Sequence, residues 1–590
     1  MRRIIRFLVG AGLAGLAVAF YLALSGTTTL PTVEANSLPG TATLSGTVDS
    51  PKAFQAAQVY LRNVDKRMLY MVYTSEGQYR AINLFPGNYE LSVKAKGLDS
   101  SVQKLVLNAG QNARANLSLR DATSDPNRRP DVEYLSFDQI YPPGRALEVA
   151  KRTCFVCHGQ SFLPSKHWNE AQWNGALDLM RGKGAEAGGV MILEKDMSDQ
   201  ERELLLKYLV ENFGPDSKTR AVRVDKDLPV DEKSVAKAMY IEYYLPTDPP
   251  GQGVNDPQYA RSTGFAAGRR MGQDPRFDPD GNVWLTDRGQ PNRIVKLNPR
   301  TGEMKEFLTP RPKAGLHDLN IDQKTGIIWV PENEGVPASQ MKLLAFNPKA
   351  EKWEQEYPLD PANLLDVPLK HAQSLAVDSK GNVFVGMILG DGLSKWDRET
   401  KKVTTFPIPP SITGGHGSLP YGVVADKNDN IWIALARRGK ILKFDTKTNQ
   451  FTEYVSPTHP AFIRRLNVDS KNNIWFGTFS AGTLVRLDQA TGKMTEWKIP
   501  SQVSQPYDVA EYAGNIWIAD AGQEGTLIQF NPQTEKFTFF PSPQARADKP
   551  KIQITKEGAI WYSPRSSREY PGLGVLYPDM DRMTTFAAHY

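Results

Sequence analysis

The chain has 590 residues, 40% of them hydrophobic and 23% charged, with a formal net charge of +6. This length exceeds what one hydrophobic core serves, so several domains are expected, and so small a charge with no long basic run excludes a nucleic-acid-binding surface. Gly (47) and Pro (42) are plentiful and helical periodicity is scarce in the C-terminal half, which predicts a mainly β chain with many turns.

At the N-terminus, Arg2, Arg3 and Arg6 precede an apolar run from Phe7 to Leu24, and a small-residue exit, Val33-Glu34-Ala35, follows. Residues 1–35 therefore read as a secretory signal cleaved after Ala35, or as a run retained as a membrane anchor. In both cases the positive flank places everything downstream outside the cytoplasm, in a periplasmic or other extracytoplasmic space. Residues 41–120 alternate apolar and polar, as in Ala57-Gln58-Val59-Tyr60-Leu61 and Tyr89-Glu90-Leu91-Ser92-Val93, and are broken by turns such as Pro86-Gly87. They predict a small antiparallel β-sandwich. Residues 121–142, centred on Asp125-Pro126-Asn127-Arg128-Arg129-Pro130, read as a polar linker. Residues 143–214 turn helical: Trp173, Leu177 and Met180 are helically spaced, Ser198 and Glu201 form a capping box, and Phe213-Gly214-Pro215 ends the last helix.

Residues 240–590 repeat. A turn followed by an aromatic recurs at Trp284, Trp329, Phe384, Trp432, Trp475, Trp517 and Trp561. Four strands per repeat make a seven-bladed β-propeller, whose ring closure covers the sheet edges. The stretch Tyr240–Pro246 reads as the strand that closes the ring, although Met583–Tyr590 competes for the same place. Turns such as Asp278-Pro279-Asp280-Gly281 are too short for calcium loops and read as hairpins.

The chemistry concentrates at Cys154-Phe155-Val156-Cys157-His158, which holds both cysteines of the chain. Two thiols three positions apart can add to the two vinyl groups of haem, and the adjacent histidine then lies under the iron. A redox dithiol would not need the histidine, and a zinc site would need more ligands nearby. The expected cofactor is one covalent haem c, and the expected partner is an electron donor or acceptor protein.

Three resemblances add to this reading. The strand order through Gly46-Thr47-Val48, Gly77-Gln78-Tyr79 and Leu84-Phe85-Pro86-Gly87-Asn88-Tyr89 resembles the carboxypeptidase regulatory-like domain, which implies a spacer or adhesion module. The lead-in Tyr141-Pro142-Pro143-Gly144-Arg145, the haem motif and Trp173 resemble an α-helical class I cytochrome c domain. That resemblance implies His/Met ligation by His158 and Met180, with Met191 on the following loop as the alternative; Met197 and His167 also fall in this interval. Pro420-Tyr421-Gly422-Val423 with Asn430-Ile431-Trp432-Ile433-Ala434 resembles the streptogramin (virginiamycin B) lyase-like and NHL-type propellers. Lyase chemistry in that family implies a metal-holding glutamate with a histidine. His317, His371 and His416 lack that setting, so lyase activity is not expected.

Aligning the repeats on their aromatics puts Gln273, His317, Gln373, Tyr421, Arg464, Tyr507 and Lys551 at the opening of the innermost strands, around the channel. Of these, His317, Tyr421, Arg464, Tyr507 and Lys551 are the candidate substrate-binding residues, for something small and polar, with a lean toward anions. The second-strand ends add Asp287, Glu332, Arg437, Asp520 and Arg565. The reading as a whole is an exported monohaem electron-transfer protein, an oxidoreductase of dehydrogenase type if the propeller oxidises a substrate. The alternative is a non-enzymatic relay with the propeller as a docking or sensing module. No catalytic residue is assigned.

Overall fold

The computed structural model describes residues 37–122, 131–183, 192, 195–260, 268–333, 340–365, 371–415, 417–544, 547–565, 567 and 569–590. The N-terminal targeting segment, Met191 and His416 lie outside the described residues. No described helix is long and apolar enough to cross a membrane.

The repeats fold into a propeller-like ring. Among the described residues there are six separate four-stranded antiparallel sheets, from Gly272–Phe277 in the first to Lys536–Pro541 in the sixth. The seventh consists of Ile552–Ile554, Ile560–Tyr562, Gly572–Tyr577 and, as its outer strand, Met239–Tyr244 from before the first blade. The innermost strands touch in cyclic order, and Gly272–Phe277 contacts Ile552–Ile554 to close the ring. Second strands such as Val283–Asp287 and Ile431–Leu435 are buried at every position, because neighbouring blades cover both faces. Outer strands such as Glu303–Leu308 and Gln450–Val455 alternate exposed and half-buried residues.

The recurring turn-plus-aromatic has a local cause. One carboxylate oxygen of Asp278 accepts the backbone N–H groups of Asp280 and Asn282, and the other accepts Trp284 Nε1–H at 2.8 Å. Asp426 does the same for Trp432, at 3.0 Å, and Asp469 for Trp475, at 2.8 Å. In these three blades an aspartate that caps the turn also orients the indole, which ties the two together.

Met239–Tyr244, not Met583–Tyr590, closes the ring. The C-terminal stretch forms no strand; it lies between the turns of the seventh and first blades, where Ala588 N–H bonds Gly281 O and Lys556 N–H bonds His589 O. Met239–Tyr244 also pairs on its far side with Met68–Tyr73 of the N-terminal β domain. That domain has one sheet of Gln78–Leu84, Ala42–Asp49, Asn112–Arg114 and Leu117–Ser118. Its other sheet runs directly into the seventh blade, giving ten hydrogen-bonded strands. A single hydrophobic core spans the junction, with Leu61, Tyr70 and Leu91 packed in one cluster with Tyr243, Trp561 and Leu573. A shared ladder and a shared core make this junction rigid.

Between the two β regions lies a helical unit: Phe137–Ile140, Arg145–Thr153, Phe155–His158, Glu170–Met180 and Asp199–Phe213. The last helix starts at the capping box of Ser198 and Glu201. The unit reaches further than the sequence indicates. Ile140 and Tyr141, read as linker, are 0% exposed in its core, because the capped turn Phe137–Ile140 packs them against Phe155 and Phe213. Beyond the last helix, Arg220–Val222 pairs in parallel with Glu133–Leu135, so both flanks of the unit are stitched together.

Candidate functional site at the channel mouth

The innermost strands carry irregular register near their starts, between Gln273 and Arg276, Ala372 and Leu375, Pro420 and Val423, and Pro506 and Asp508. A bulge breaks the alternation of faces, so two consecutive residues per blade can serve the channel. The result is two layers. The upper comprises Gln273, His317, Gln373, Tyr421, Arg464 and Tyr507; the lower comprises Asp274, Asp318, Ser374, Arg465, Asp508 and Lys551.

Lys551 is thus misplaced in the sequence alignment by one residue. Gln553 pairs with Trp561 as Asn467 pairs with Trp475, so Lys551 corresponds to Arg465, and Pro550 takes the upper position. Its amine points at Asp318, 3.5 Å away, within the lower layer.

The lower layer is ion-paired. Arg465, from the fifth blade, donates to Asp274 of the first at 3.0 Å and to both oxygens of Asp318 of the second at 2.9 and 3.0 Å. Asp274 and Asp318 are 0% exposed. Together with His317 they form the one described cluster of metal-ligand type, but the Arg465 guanidinium already bridges the two carboxylates.

The upper layer is different. The hydroxyls of Tyr421 and Tyr507 hydrogen-bond each other. Arg464 Nη1 donates to both, at 3.3 and 3.2 Å, and Arg565 Nη1 donates to Tyr507 at 3.2 Å. His317 Nε2 lies 3.4 Å from the Tyr421 hydroxyl and 2.9 Å from Gln273 Nε2. The Arg464 guanidinium is ringed by Phe479, Tyr507, Phe462 and Tyr421, with its carbon 4.3 to 5.5 Å from their centroids. Burial pushes the Tyr507 hydroxyl up, but Arg565, Arg464 and Arg465 outweigh it and bring the pKa down to about 8. His317 is held well below its ordinary range by burial and by the surrounding arginines, so it is neutral.

The sequence also proposed residues at the second-strand ends. Asp287 holds Arg270 and caps Met271 N–H and Gly289 N–H; Glu332 holds Arg311; Asp520 caps Gln505 N–H and Gly522 N–H. These acids are engaged by turn and neighbour. Arg565 reaches the cluster of Arg464 and the tyrosines, while Arg437 lies 3.5 Å from Asp196 of the helical unit. Gln373 accepts from Asn333 Nδ2 at 3.1 Å, within the third blade's side of the rim.

The Cys-Phe-Val-Cys-His segment sits on this mouth. Cys154 and Phe155 pack into the helical core. Val156 and Cys157, on the same short helix, join a cluster with Tyr421, Tyr507, Phe462, Phe479, Leu389 and Leu419 of the propeller. Arg464 Nη2 donates to the Cys157 carbonyl at 3.4 Å. Gly159 follows with φ of +70°, a left-handed turn that favours glycine. Neither cysteine forms a disulfide. His158 stacks on Phe162 with centroids 4.1 Å apart. Its ring keeps solvent access, yet the surrounding protein, then Arg464 and Lys166, hold its pKa down to about 4.

Met180 ends its helix half-buried against the helical core, and Met197 is fully buried within it. His167 bonds the Ser217 and Thr219 hydroxyls at 3.2 and 2.7 Å. Sequence reasoning missed Arg465, Asp274 and Asp318; the polar residue that follows Gln273, His317, Gln373, Arg464 and Tyr507 was the available signal.

Residues 43–120 match the carboxypeptidase regulatory-like domain, and residues 368–569 match the virginiamycin B lyase family. The chain thus combines a carboxypeptidase regulatory-like domain with a virginiamycin B lyase-like propeller. No curated protein matches it. Among solved structures, virginiamycin B lyase from Staphylococcus aureus is 20% identical, with 52% of this chain and 94% of that one covered and a TM-score of 0.44. A streptogramin B lyase structure is 20% identical over 58% and 97%, with a TM-score of 0.46. The RRP9 WD40 repeats are 9% identical over 52% and 94%, with a TM-score of 0.41.

Proposed function

We propose that the protein is an exported monohaem c-type electron carrier acting outside the cytoplasm. Its propeller mouth takes a small polar donor, and a bound haem would supply the electron acceptor between that donor and a partner protein. The donor set suits the group: two free thiols lie one turn apart, Cys154 at the N-cap of a short helix and Cys157 within it, and His158 ends that helix. Met180, at the end of a helix packed on the same core, would be the second residue to hold the iron, with Met191 as the alternative. When bound, haem supplies a one-electron acceptor, and a thioether ligand raises its potential.

The observation that carries this reading is the seat of the Cys-x-x-Cys-His helix on the mouth, with Arg464 bonded at once to Cys157 and to the tyrosine pair. Arg464 orients the two hydroxyls and keeps positive charge at the contact. Val156 and the aromatic residues around it exclude water from that contact. The direct test is reduction of the haem by candidate small polar donors, followed in the visible spectrum, in wild type and in Arg464→Gln. A donor that reduces both proteins equally removes the mouth from the reaction.

A second reading is a relay between partner proteins, with the mouth serving only to seat the helical unit. It draws on Val156, which occupies the apolar part of the mouth. In that case no small compound reduces the haem faster than free diffusion to its edge allows.

A further inference from the structure

Arg464 differs from the cations around it. Its guanidinium donates to the Tyr421 and Tyr507 hydroxyls at 3.3 and 3.2 Å and to the Cys157 carbonyl at 3.4 Å, all neutral oxygens, and its enclosed Nε has no partner. Four aromatic rings enclose the rest of it. Each neighbouring arginine has an acid: Arg465 bridges Asp274 and Asp318, Arg565 holds Asp548, and Arg437 and Arg438 lie 3.5 and 3.9 Å from Asp196. A charge offset by a carboxylate has a short reach. One ringed by carbon and neutral oxygens keeps its field. That field falls on Cys157, which stands next to His158 and three residues from Cys154.

Resting on the haem reading above, we infer that Arg464 is a positioning residue for the electron. It raises the reduction potential of a haem held at Cys154, Cys157 and His158, and it ties the seating of the helical unit on the propeller to the redox state. Reduction by one electron, taken from a donor that is oxidised by one electron, makes the charge beside Cys157 more negative by one and breaks no bond of the protein. A fixed cation at that place favours the reduced state. The coupling is reciprocal: the factor by which a seated Arg464 favours reduction is the factor by which reduction favours the seat. The propeller therefore makes the unit a better electron acceptor and holds it more tightly once the electron has arrived.

The seat is of a kind that one charge can move. Val156 and Cys157 supply its apolar part, and its polar ties include Arg464 to the Cys157 carbonyl, Gln523 to the Ser161 hydroxyl and Gln502 to the Asp225 N–H. A contact built from so few side chains resembles the smaller, more polar interfaces between domains, which open and close readily.

Two measurements on the full-length haem protein test the inference. The first is a redox titration in the visible spectrum. Arg464→Gln should shift the equilibrium about tenfold toward the oxidised form, which is ~59 mV for one electron. Arg464→Met, which keeps packing between the rings, is a second charge-free variant and should shift it equally, while Arg464→Lys should stay close to wild type. Gln523→Ala removes a tie to the helical unit but no charge, and should also stay close to wild type. The second measurement is hydrogen exchange at the Cys157, His158 and Gly159 amides in the two redox states. Reduction should slow it about tenfold more in wild type than in Arg464→Gln. Equal potentials in wild type and both charge-free variants overturn the inference and leave the haem reading intact. So does a shift in Gln523→Ala as large as that in Arg464→Gln, because the potential then follows the seat and not the charge. A shifted potential with no difference in exchange overturns the link to seating. A chain that holds no haem overturns both the inference and the reading beneath it.

Discussion

The two layers of the channel are adjacent in sequence and opposite in character. Asp274, Asp318, Arg465 and Lys551 are buried ionisable groups paired with one another, drawn from the first, second, fifth and seventh blades. One residue earlier, His317, Tyr421, Arg464 and Tyr507 form a cation-rich, aromatic cluster whose hydrogen bonds run among neutral groups and the Cys157 carbonyl. The lower layer ties blades together across the ring. The upper layer keeps bonding capacity and charge facing the helical unit. A propeller can therefore separate stability from chemistry by a single residue along its innermost strands.

The largest effect expected concerns what sits above the mouth. Cys154→Ala combined with Cys157→Ala should abolish haem peroxidase staining on a denaturing gel that wild type retains; an unstained wild-type band refutes the cofactor assignment. Next comes the lower layer. Arg465→Met leaves two buried carboxylates without their main partner and should cost about 3–5 kcal/mol in chemical denaturation. A loss no greater than that of Arg464→Gln would erase the distinction between the layers.

A third expectation concerns pH. Lys549 is 0% exposed, and burial pulls its amine down to about 8, against an upward pull from Glu242. Its folded pKa lies below its unfolded value of 10.5, so the unfolded chain binds the extra proton in that window. The Lys549 contribution to stability should therefore rise with pH from about 8 to 10.5, and Lys549→Met should flatten that slope in urea melts taken across it. The smallest effect is expected at the upper layer: Tyr507→Phe should change stability by only about 1 kcal/mol. A large destabilisation there would make the upper layer structural as well.

Much of this architecture is legible in the residues. In the first, fourth and fifth blades the repeat has a local device, the aspartate that caps the turn and fixes the tryptophan, and a cause so local survives in sequence. The capping box at Ser198 and the glycine after His158 are likewise local. Lys551 shows the limit. Its position depends on register across a strand pair, which a single residue of offset changes, and no side chain nearby signals it. The flanks of the helical unit escaped for a similar reason. Ile140 and Tyr141 follow a polar stretch, and only packing against Phe155 and Phe213 assigns them to a core.

By itself the sequence determined the elements whose causes lie within a few residues: the alternating strands of the N-terminal domain, the seven-fold repeat and the cysteine–histidine motif. Only the tertiary structure decided which residues meet. The same outer strand, Met239–Tyr244, closes the ring and carries the N-terminal sheet, because a ladder partner on each side satisfies its backbone. Ring closure brings Tyr421, Arg464, Tyr507 and Arg565 to one point from four blades, and it sets Val156 and Cys157 against them across some 300 residues of chain. Such contacts depend on the closing of the whole ring, and no local pattern of residues encodes that distance.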